Sequence, residues 1–396
     1  MLPQHGTLTI SRCRLRHNLA LIRERVGSRP KLCAIIKADA YGHGAALIAG
    51  LLAEAGIEWV CVYGVQEAAA LTRSHPFKVL VLAPLVLQPH STSESLETLF
   101  GPASGGAMHG RPETRGEAGP IPIRLNVTDV QSARLLSRSI AALERKATLQ
   151  VHMQVDAGLT RMGVAPQQAA ALAAEIASLP GLELEGVFAH FSHGDVPGHP
   201  TLQQQRGILM EVARGLRRAH PRLMVHLQNS GGAWNLAGEE LDMVRLGIAL
   251  YGLQPSTSDP IPGLLPIAEV TAPILAIHDC AAGTGVGYGH TFTTSRKSRL
   301  AVVPVGYAEG YPRGLSNRAV CQVRGKELPV VGRVSMDQII VDATDLPEAR
   351  VGEVVTVISN DPARANSLDR MADALGTIGY ELATHLGSRL NRVVSE

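Results

Sequence analysis

The stretch CAIIKADAYGHG, residues 33–44, ends an apolar run in an unusual way. Leu32 to Ile36 reads as a short buried strand closed off by turn residues. The run then delivers a lysine, Lys37, into a turn made from Asp39, Tyr41, Gly42 and Gly44. Lysines after strands usually snorkel, laying the apolar stem on the protein and the ammonium in water. The same position can also hold a buried amine for chemistry, and the rest of the chain has to decide between the two.

Outward from this strand, short apolar runs alternate with alanine- and leucine-rich helical stretches up to about residue 252. The strand candidates are 32–36, 59–63, 78–82, 121–127, 148–155, 184–189, 223–228 and 242–246. The helical stretches between them include 43–55, 65–73, 129–145, 166–178 and 201–219. Each strand followed by a helix or a helix-length gap is the arithmetic of a (β/α)8 TIM barrel, an α/β fold. An open doubly wound sheet alternates similarly, but no G-x-G-x-x-G follows the first strand, so its usual dinucleotide signature is missing.

From residue 253 the texture changes. LQPSTSDPIPG (253–263) is a Pro/Ser-rich connector, and β-type runs follow at 269–277, 299–305, 318–323, 338–343 and 353–359. One helix is expected near 367–386, with Ser367 as N-cap and Asp369 in its first turn. The expected organisation is therefore a barrel over 1–252 and a mostly β domain over 253–396. The Gly- and Pro-rich segment 101–120 reads as a surface insertion between barrel elements.

Composition narrows the function classes. The net charge of +2 and the 4% aromatic content argue against nucleic acid, which needs a basic face or stacking platforms. The cysteines, Cys13, Cys33, Cys61, Cys280 and Cys321, are scattered and odd in number, as in a protein with reduced thiols. The N-terminus lacks a run of signal-peptide length and soon becomes amphipathic, and the apolar run 79–87 is too short to span a bilayer. The expected location is the cytoplasm, with no membrane partner.

In a barrel, reactive groups gather at the C-terminal ends of the strands. Lys37 ends the first candidate strand, Asp156 and Arg161 follow the fifth, and His190 ends the sixth. Asn229 and Ser230 end the seventh, and Arg245 and Gly247 the eighth. Each has a plain reading: a solvated lysine, an Asp156–Arg161 pair, a core histidine, a turn and helix cap. A hydroxyl and exposed amides in QNSGG and RLGIALYG also suit a phosphate. His190, His193, Asp195 and His199 form a local cluster of metal-ligand types, but the spacing fits no strong zinc motif, and no metal is expected. A lysine beside a phosphate seat suggests pyridoxal 5'-phosphate, whose aldehyde bonds an amine and whose ring takes up electrons.

Several motifs then carry a resemblance. KADAYGHG (37–44) resembles the cofactor-lysine motif of the alanine racemases. GVGYGHTF (285–292), PVGYAEGYPRGLSN (304–317) and GRVSMDQ (332–338) look like that family's C-terminal motifs, in consistent order along nearly the whole chain. The resemblance implies a fold-type III enzyme that binds pyridoxal 5'-phosphate, works as a head-to-tail homodimer and interconverts L- and D-alanine for peptidoglycan synthesis. Lys37 would bind the cofactor and act as base on D-alanine. Tyr288 would be the opposite base, acting on L-alanine from the partner subunit.

A phenol, with a reference pKa near ~10, is a poor base at neutral pH unless a cation stabilises its phenolate. Arg161 matches the family arginine placed near that phenol and the substrate carboxylate. Arg245 matches the arginine facing the ring nitrogen of the cofactor, and His190 a residue supporting it. Tyr41, Ser230, Gly247, Ile248 and Tyr307 match phosphate-side positions, and Met336 a residue whose amide faces the substrate carboxylate. Asp195, Arg313, Arg333 and Asp337 fall in the corridor by which substrate enters, which accounts for the 190–199 cluster without a metal.

Two positions depart from the family pattern. Gln154 stands where many members carry a lysine, often carbamylated; its amide oxygen is able to accept a bond from Arg161 but bears no charge. Ser388, in GSRLNRVV, stands in place of a tyrosine and implies a wider pocket. Three competing readings are a fold-type III decarboxylase, a non-catalytic single-barrel cofactor-binding protein and a zinc hydrolase. GVGYG and GRVSMDQ oppose the first, the β domain with Tyr288 opposes the second, and metal content and protein colour separate the third.

Overall fold

Strand β1 (Thr7–Ser11, TLTIS) alternates partly buried threonines with fully buried Leu8 and Ile10, and leads into the helix Arg12–Val26. The computed structural model describes residues 6–85, 122–142, 148–236 and 241–396, so the expected insertion at 101–120 lies outside the described residues. The chain then enters the parallel strands β2 (Lys31–Ile35), β3 (Trp59–Val62), β4 (Lys78–Pro84) and β5 (Ile123–Val127). β6 (Leu149–Gln154), β7 (Leu182–Phe188), β8 (Met224–His226) and β9 (Met243–Leu246) follow. Among the described residues these eight strands close into a barrel in sequence order. Most barrel strands are buried along nearly their full length, as expected where a parallel sheet is covered on both faces.

The ring closes where β2 pairs with β9, Cys33 standing opposite Arg245. Closure brings Lys37, just past β2, and Arg245, on β9, to the same rim. The intervening helices start where the sequence supplies caps. Asp129 accepts from Ser132 N at 2.8 Å ahead of the helix Val130–Ala141, and His199 caps Pro200–Arg217, with proline at its first position.

The remaining strands are β10 (Ala268–Pro273), β11 (Ala276–Cys280), β12 (Gly285–Val286), β13 (Phe292–Thr293) and β14 (Ser298–Val303). They continue with β15 (Val320–Val323), β16 (Lys326–Pro329), β17 (Ile339–Asp342), β18 (Val354–Ile358) and β19 (Asn391–Ser395). A six-stranded sheet runs β16-β15-β18-β10-β1-β19, beside a three-stranded sheet β11-β14-β17. β1 pairs antiparallel with β10 and parallel with β19, so the N-terminal strand belongs to the β unit. A boundary at 252/253 does not anticipate this. The two compact units comprise residues 22–38 with 46–247, and residues up to Leu21 with 39–45 and 248–396.

The single helix expected over 367–386 is two short ones, Leu368–Leu375 and Gly379–Thr384. Gly376 adopts a left-handed conformation (φ +72°) and ends the first, the usual use of glycine after a helix. Ser367 sits at the N-cap position without a side-chain cap bond. The buried Asp369 carboxylate instead accepts from Gln254 N at 3.1 Å.

After Lys37 the backbone turns left-handed over four consecutive non-glycine residues: Ala38 (φ +52°), Asp39 (+52°), Ala40 (+56°) and Tyr41 (+53°). Each such residue costs about 1–2 kcal/mol, so surrounding contacts must hold the turn. Asp39 Oδ1 accepts from Ala45 N at 2.7 Å, and the buried His43 Nδ1 lies 3.0 and 2.9 Å from the carbonyls of Ala40 and Tyr41. Arg392 donates to the Gly42 carbonyl at 2.9 Å. Gly42 (φ +77°) has no room for a side chain, because an added Cβ would stand 2.1 Å from the Ala383 carbonyl oxygen. Gly56, with a similar φ of +74°, faces open space. Gly56→Ala should therefore cost only about 1 kcal/mol of conformational strain. Gly42→Ala should lower the urea midpoint several-fold more, and equal shifts for the two variants would contradict this account of the turn.

Candidate functional site

The barrel rim gathers a cationic cluster. Lys37, half-buried, has its ammonium pKa lowered by burial and then by the nearby Arg161 guanidinium, which favours the neutral amine. Glu67 opposes that effect weakly, its carboxylate being used to accept from the amides of Ala38, Tyr63 and Gly64. Arg161 itself is exposed. The plain reading of an Asp156–Arg161 pair gives way to another geometry. Asp156 Oδ1 accepts from the amides of Gly158, Leu159 and Thr160 at 2.9–3.0 Å and so organises the loop that carries Arg161. The Gln154 oxygen, able in principle to accept from Arg161, accepts from Asn126 Nδ2 at 2.8 Å.

Arg245 is 3% exposed, and among the described residues no carboxylate pairs with it directly. Its guanidinium donates to His226 Nδ1 (2.7 Å), the carbonyls of Ala189 (2.8 Å) and Leu227 (3.1 Å), and His190 Nδ1 (3.3 Å). Burial, with the Arg245, Arg161 and Lys37 cations, pushes the His190 imidazole down to about 3. His190 is thus a neutral acceptor for Arg245. Ser230 Oγ accepts from Gly247 N at 3.0 Å, tying the seventh and eighth strand-end loops together. An added Cβ on Gly231 would stand 2.6 Å from the Gly194 carbonyl oxygen and 2.7 Å from Asp195 Cα, so the loop bearing Asp195 packs on backbone. His193 and His199 stack at 3.9 Å and share Thr201 Oγ1, and among the described residues no metal-capable cluster forms.

The β unit carries the other expected residues. Tyr288 lies between Gly287 (φ +65°) and Gly289 (φ +70°) and is 72% exposed. Gly289 leaves room for the Arg333 guanidinium, 3.2 Å from where a Cβ would stand. Tyr307 N donates to Ser335 O at 3.1 Å and Ala308 N to Met336 O at 3.0 Å, so the two loops run side by side. Gly306 permits that approach, its hypothetical Cβ lying 2.3 Å from Met336 O. Tyr307 and Met336 are exposed, as are Arg313, Arg333, Asp337 and Ser388. Asp337 pairs at 2.8 Å with Arg389, which also bridges to the buried Glu309. Tyr41 is buried against Tyr251 (ring centroids 5.0 Å apart), and Ile248 is fully buried.

Several residues of consequence are absent from the sequence expectations: His43, Arg389, and the inward-facing His152, Glu185 and His226. The available signal was polar side chains inside the apolar strands LQVHMQ and LELEGVF.

A closed barrel with a lysine on its rim, followed by a β unit, defines the class of barrel amino-acid racemases. The alanine racemase N-terminal domain family matches residues 10–99 and 119–255, and the alanine racemase C-terminal domain family matches 267–394. The chain belongs to the alanine racemase family, and is an isomerase that racemises alanine. It is 34% identical over 391 residues to the alanine racemase of Desulfovibrio desulfuricans, covering 96% of this chain and 95% of that protein. It is 33% identical over 398 residues to that of Synechocystis, covering both chains completely. The alanine racemase structure from Streptomyces lavendulae superposes with a TM-score of 0.84 at 28% identity, covering 100% of this chain and 98% of that one. That from Bartonella henselae, which carries covalently bound pyridoxal phosphate, superposes at 0.80 with 28% identity and 99% coverage of both.

Membership implies pyridoxal phosphate, and the rim residues fit such a group. They include an amine whose pKa burial lowers, a buried guanidinium bonded to a neutral imidazole, and a hydroxyl and amide on adjacent tight loops. No helix among the described residues is long and apolar enough to cross a membrane.

The buried histidines make stability pH-dependent. Burial lowers His43 to about 4, the carbonyls of Tyr41 and Ala40 opposing it, and His190 to about 3. Unfolded histidine titrates near ~6.5, so below that pH the unfolded chain binds more protons than the folded one. Stability therefore falls as pH drops from about 6.5, levelling near 4 for His43 and near 3 for His190. The urea midpoint should fall between pH 7 and 5, with about 2 kcal/mol lost per histidine at pH ~5. A pH-independent midpoint over that interval would contradict these burial states.

Proposed function

We propose that the chain interconverts L- and D-alanine by a two-base mechanism with pyridoxal 5'-phosphate held on Lys37. The observation that carries this is the rim itself: a half-buried lysine, biased toward its neutral form by burial and Arg161, on the same barrel mouth as Arg245. When bound, the cofactor takes up the electron pair left on Cα as the α-proton departs. Lys37 removes or returns that proton on one face, acting on D-alanine. Tyr288 of the partner subunit does so on the other, acting on L-alanine. Groups on opposite faces let one proton leave and another arrive without turning the substrate.

The other roles follow the family positions. Arg161 orients the phenol and the substrate carboxylate, toward which the Met336 amide also points. Arg245 faces the ring nitrogen as a donor that does not give up its proton, and His190 supports it. Tyr41, Ser230, Gly247, Ile248 and Tyr307 serve the phosphate, and Asp195, Arg313, Arg333 and Asp337 line the way in. The homodimer reading has support in the exposure of Tyr288 (72%), Met336 (52%) and Tyr307 (44%) on the β unit. The product, D-alanine, serves peptidoglycan synthesis in the cytoplasm.

Borohydride should couple the cofactor to Lys37 alone, as read by peptide mass spectrometry; coupling at another lysine would overturn the assignment. Tyr288→Phe should slow α-hydrogen exchange of L-alanine by about 10²-fold or more, and that of D-alanine much less. Equal losses would count against the assignment of faces.

A further inference from the structure

Arg245 presents a physical problem: a cation almost without solvent and, among the described residues, with no carboxylate in contact. A buried charge is costly unless its donors are hydrogen-bonded, and the structure supplies those bonds to Arg245. From Arg245 a continuous chain of hydrogen bonds crosses the barrel interior. Arg245 donates to His226 Nδ1 at 2.7 Å, His226 Nε2 lies 2.8 Å from His152 Nδ1, and His152 Nε2 lies 3.1 Å from Glu185 Oε2. Arg124 closes the far end, donating to Glu185 at 3.0 Å. His152 stands on β6 and His226 on β8, strands that are not neighbours in the ring, so their bond crosses the interior.

Only one arrangement of protons satisfies this chain. A guanidinium is purely a donor, so His226 Nδ1 is bare and its single proton sits on Nε2. That proton points at His152 Nδ1, which must be bare in turn, so His152 carries its proton on Nε2, aimed at Glu185. Every proton is directed away from Arg245 toward one carboxylate. Burial raises the Glu185 carboxyl, but the bonds from His152 and Arg124 outweigh it and hold the group ionised, at about 2. Burial also keeps both imidazoles neutral.

The surroundings are shaped around the chain. Phe188 stacks on His226 at 4.9 Å and lies 5.2 Å from the Arg245 guanidinium, and Trp59 lies 5.2 Å from Arg124. Gly186 is the opening through which the His152 ring fits, since an added Cβ there would stand 2.6 Å from His152 Nδ1.

We propose that Glu185, acting through His152 and His226, is the positioning residue that fixes the tautomers on which Arg245 rests and so the direction in which its guanidinium faces the cofactor. This rests on the seating of the cofactor against Arg245 proposed above. None of the three residues touches substrate; their effect reaches the reaction by holding Arg245 in place.

The test has two parts. In full-length holoprotein labelled with 15N-histidine, NMR should find His152 and His226 neutral and protonated on Nε2 from about pH 5 to 8. An Nδ1-protonated or charged ring at either position would overturn the relay. In Glu185→Gln, and separately in Gly186→Ala, kcat should fall about tenfold in both directions with KM changed less than about twofold, and the visible band of the bound cofactor should shift. Folded variants with wild-type kcat and spectrum would refute the positioning role, and if neither variant folds the wild-type tautomers decide. Borohydride coupling to Lys37 separates the two levels: its absence in the wild type counts against the cofactor seating, whereas a wrong tautomer counts against the relay alone.

Discussion

Pairing of β2 with β9 is the constraint on which the rest depends. It joins strands some two hundred residues apart and sets Cys33 opposite Arg245. Without it, Lys37 and Arg245 would be at opposite edges of an open sheet. With it, every strand end faces one rim, and residues from distant parts of the sequence act in one electrostatic field. The left-handed turn over 38–41 exploits that fixed strand end, and its strain is tolerable because Asp39, His43 and Arg392 hold it from several directions.

The charge distribution follows from the same closure. Cations crowd the rim, and each lowers the proton affinity of its neighbours: Arg161 acts on Lys37, and Arg245, Arg161 and Lys37 together act on His190. A lysine held this way spends more time as a free amine than one in water. The Glu185 carboxylate, paired with Arg124, lies away from the rim and connects to Arg245 through two imidazoles that burial keeps neutral.

Much of this was legible in the sequence, for identifiable reasons. The barrel strands were readable because strands buried on both faces are short continuous apolar runs, and the rim residues because they stand directly after those runs. Local pattern failed where distant partners decide. β1 is five residues whose partners lie near Thr271 and Asn391, so nothing local marks it as part of the β unit. Gly376 falls inside the single helix expected near 367–386 and ends its first half with a left-handed conformation. The turn after Lys37 contains residues that favour right-handed backbone, and local bonds from Asp39 and His43 hold it together with a distant one from Arg392. The Glu185–His152–His226 chain left only polar letters in apolar strands, and its meaning required knowing which of them meet across the interior.

Incubating the cofactor-loaded protein with pure L-alanine, and separately with pure D-alanine, in heavy water tests the central claim most directly. Chiral chromatography with mass detection then reads the enantiomers and the label. Two bases on opposite faces of Cα predict that both runs converge on equal amounts of the enantiomers, the newly formed enantiomer carrying solvent deuterium at Cα. Release of carbon dioxide, or persistence of one enantiomer unlabelled, would contradict the account.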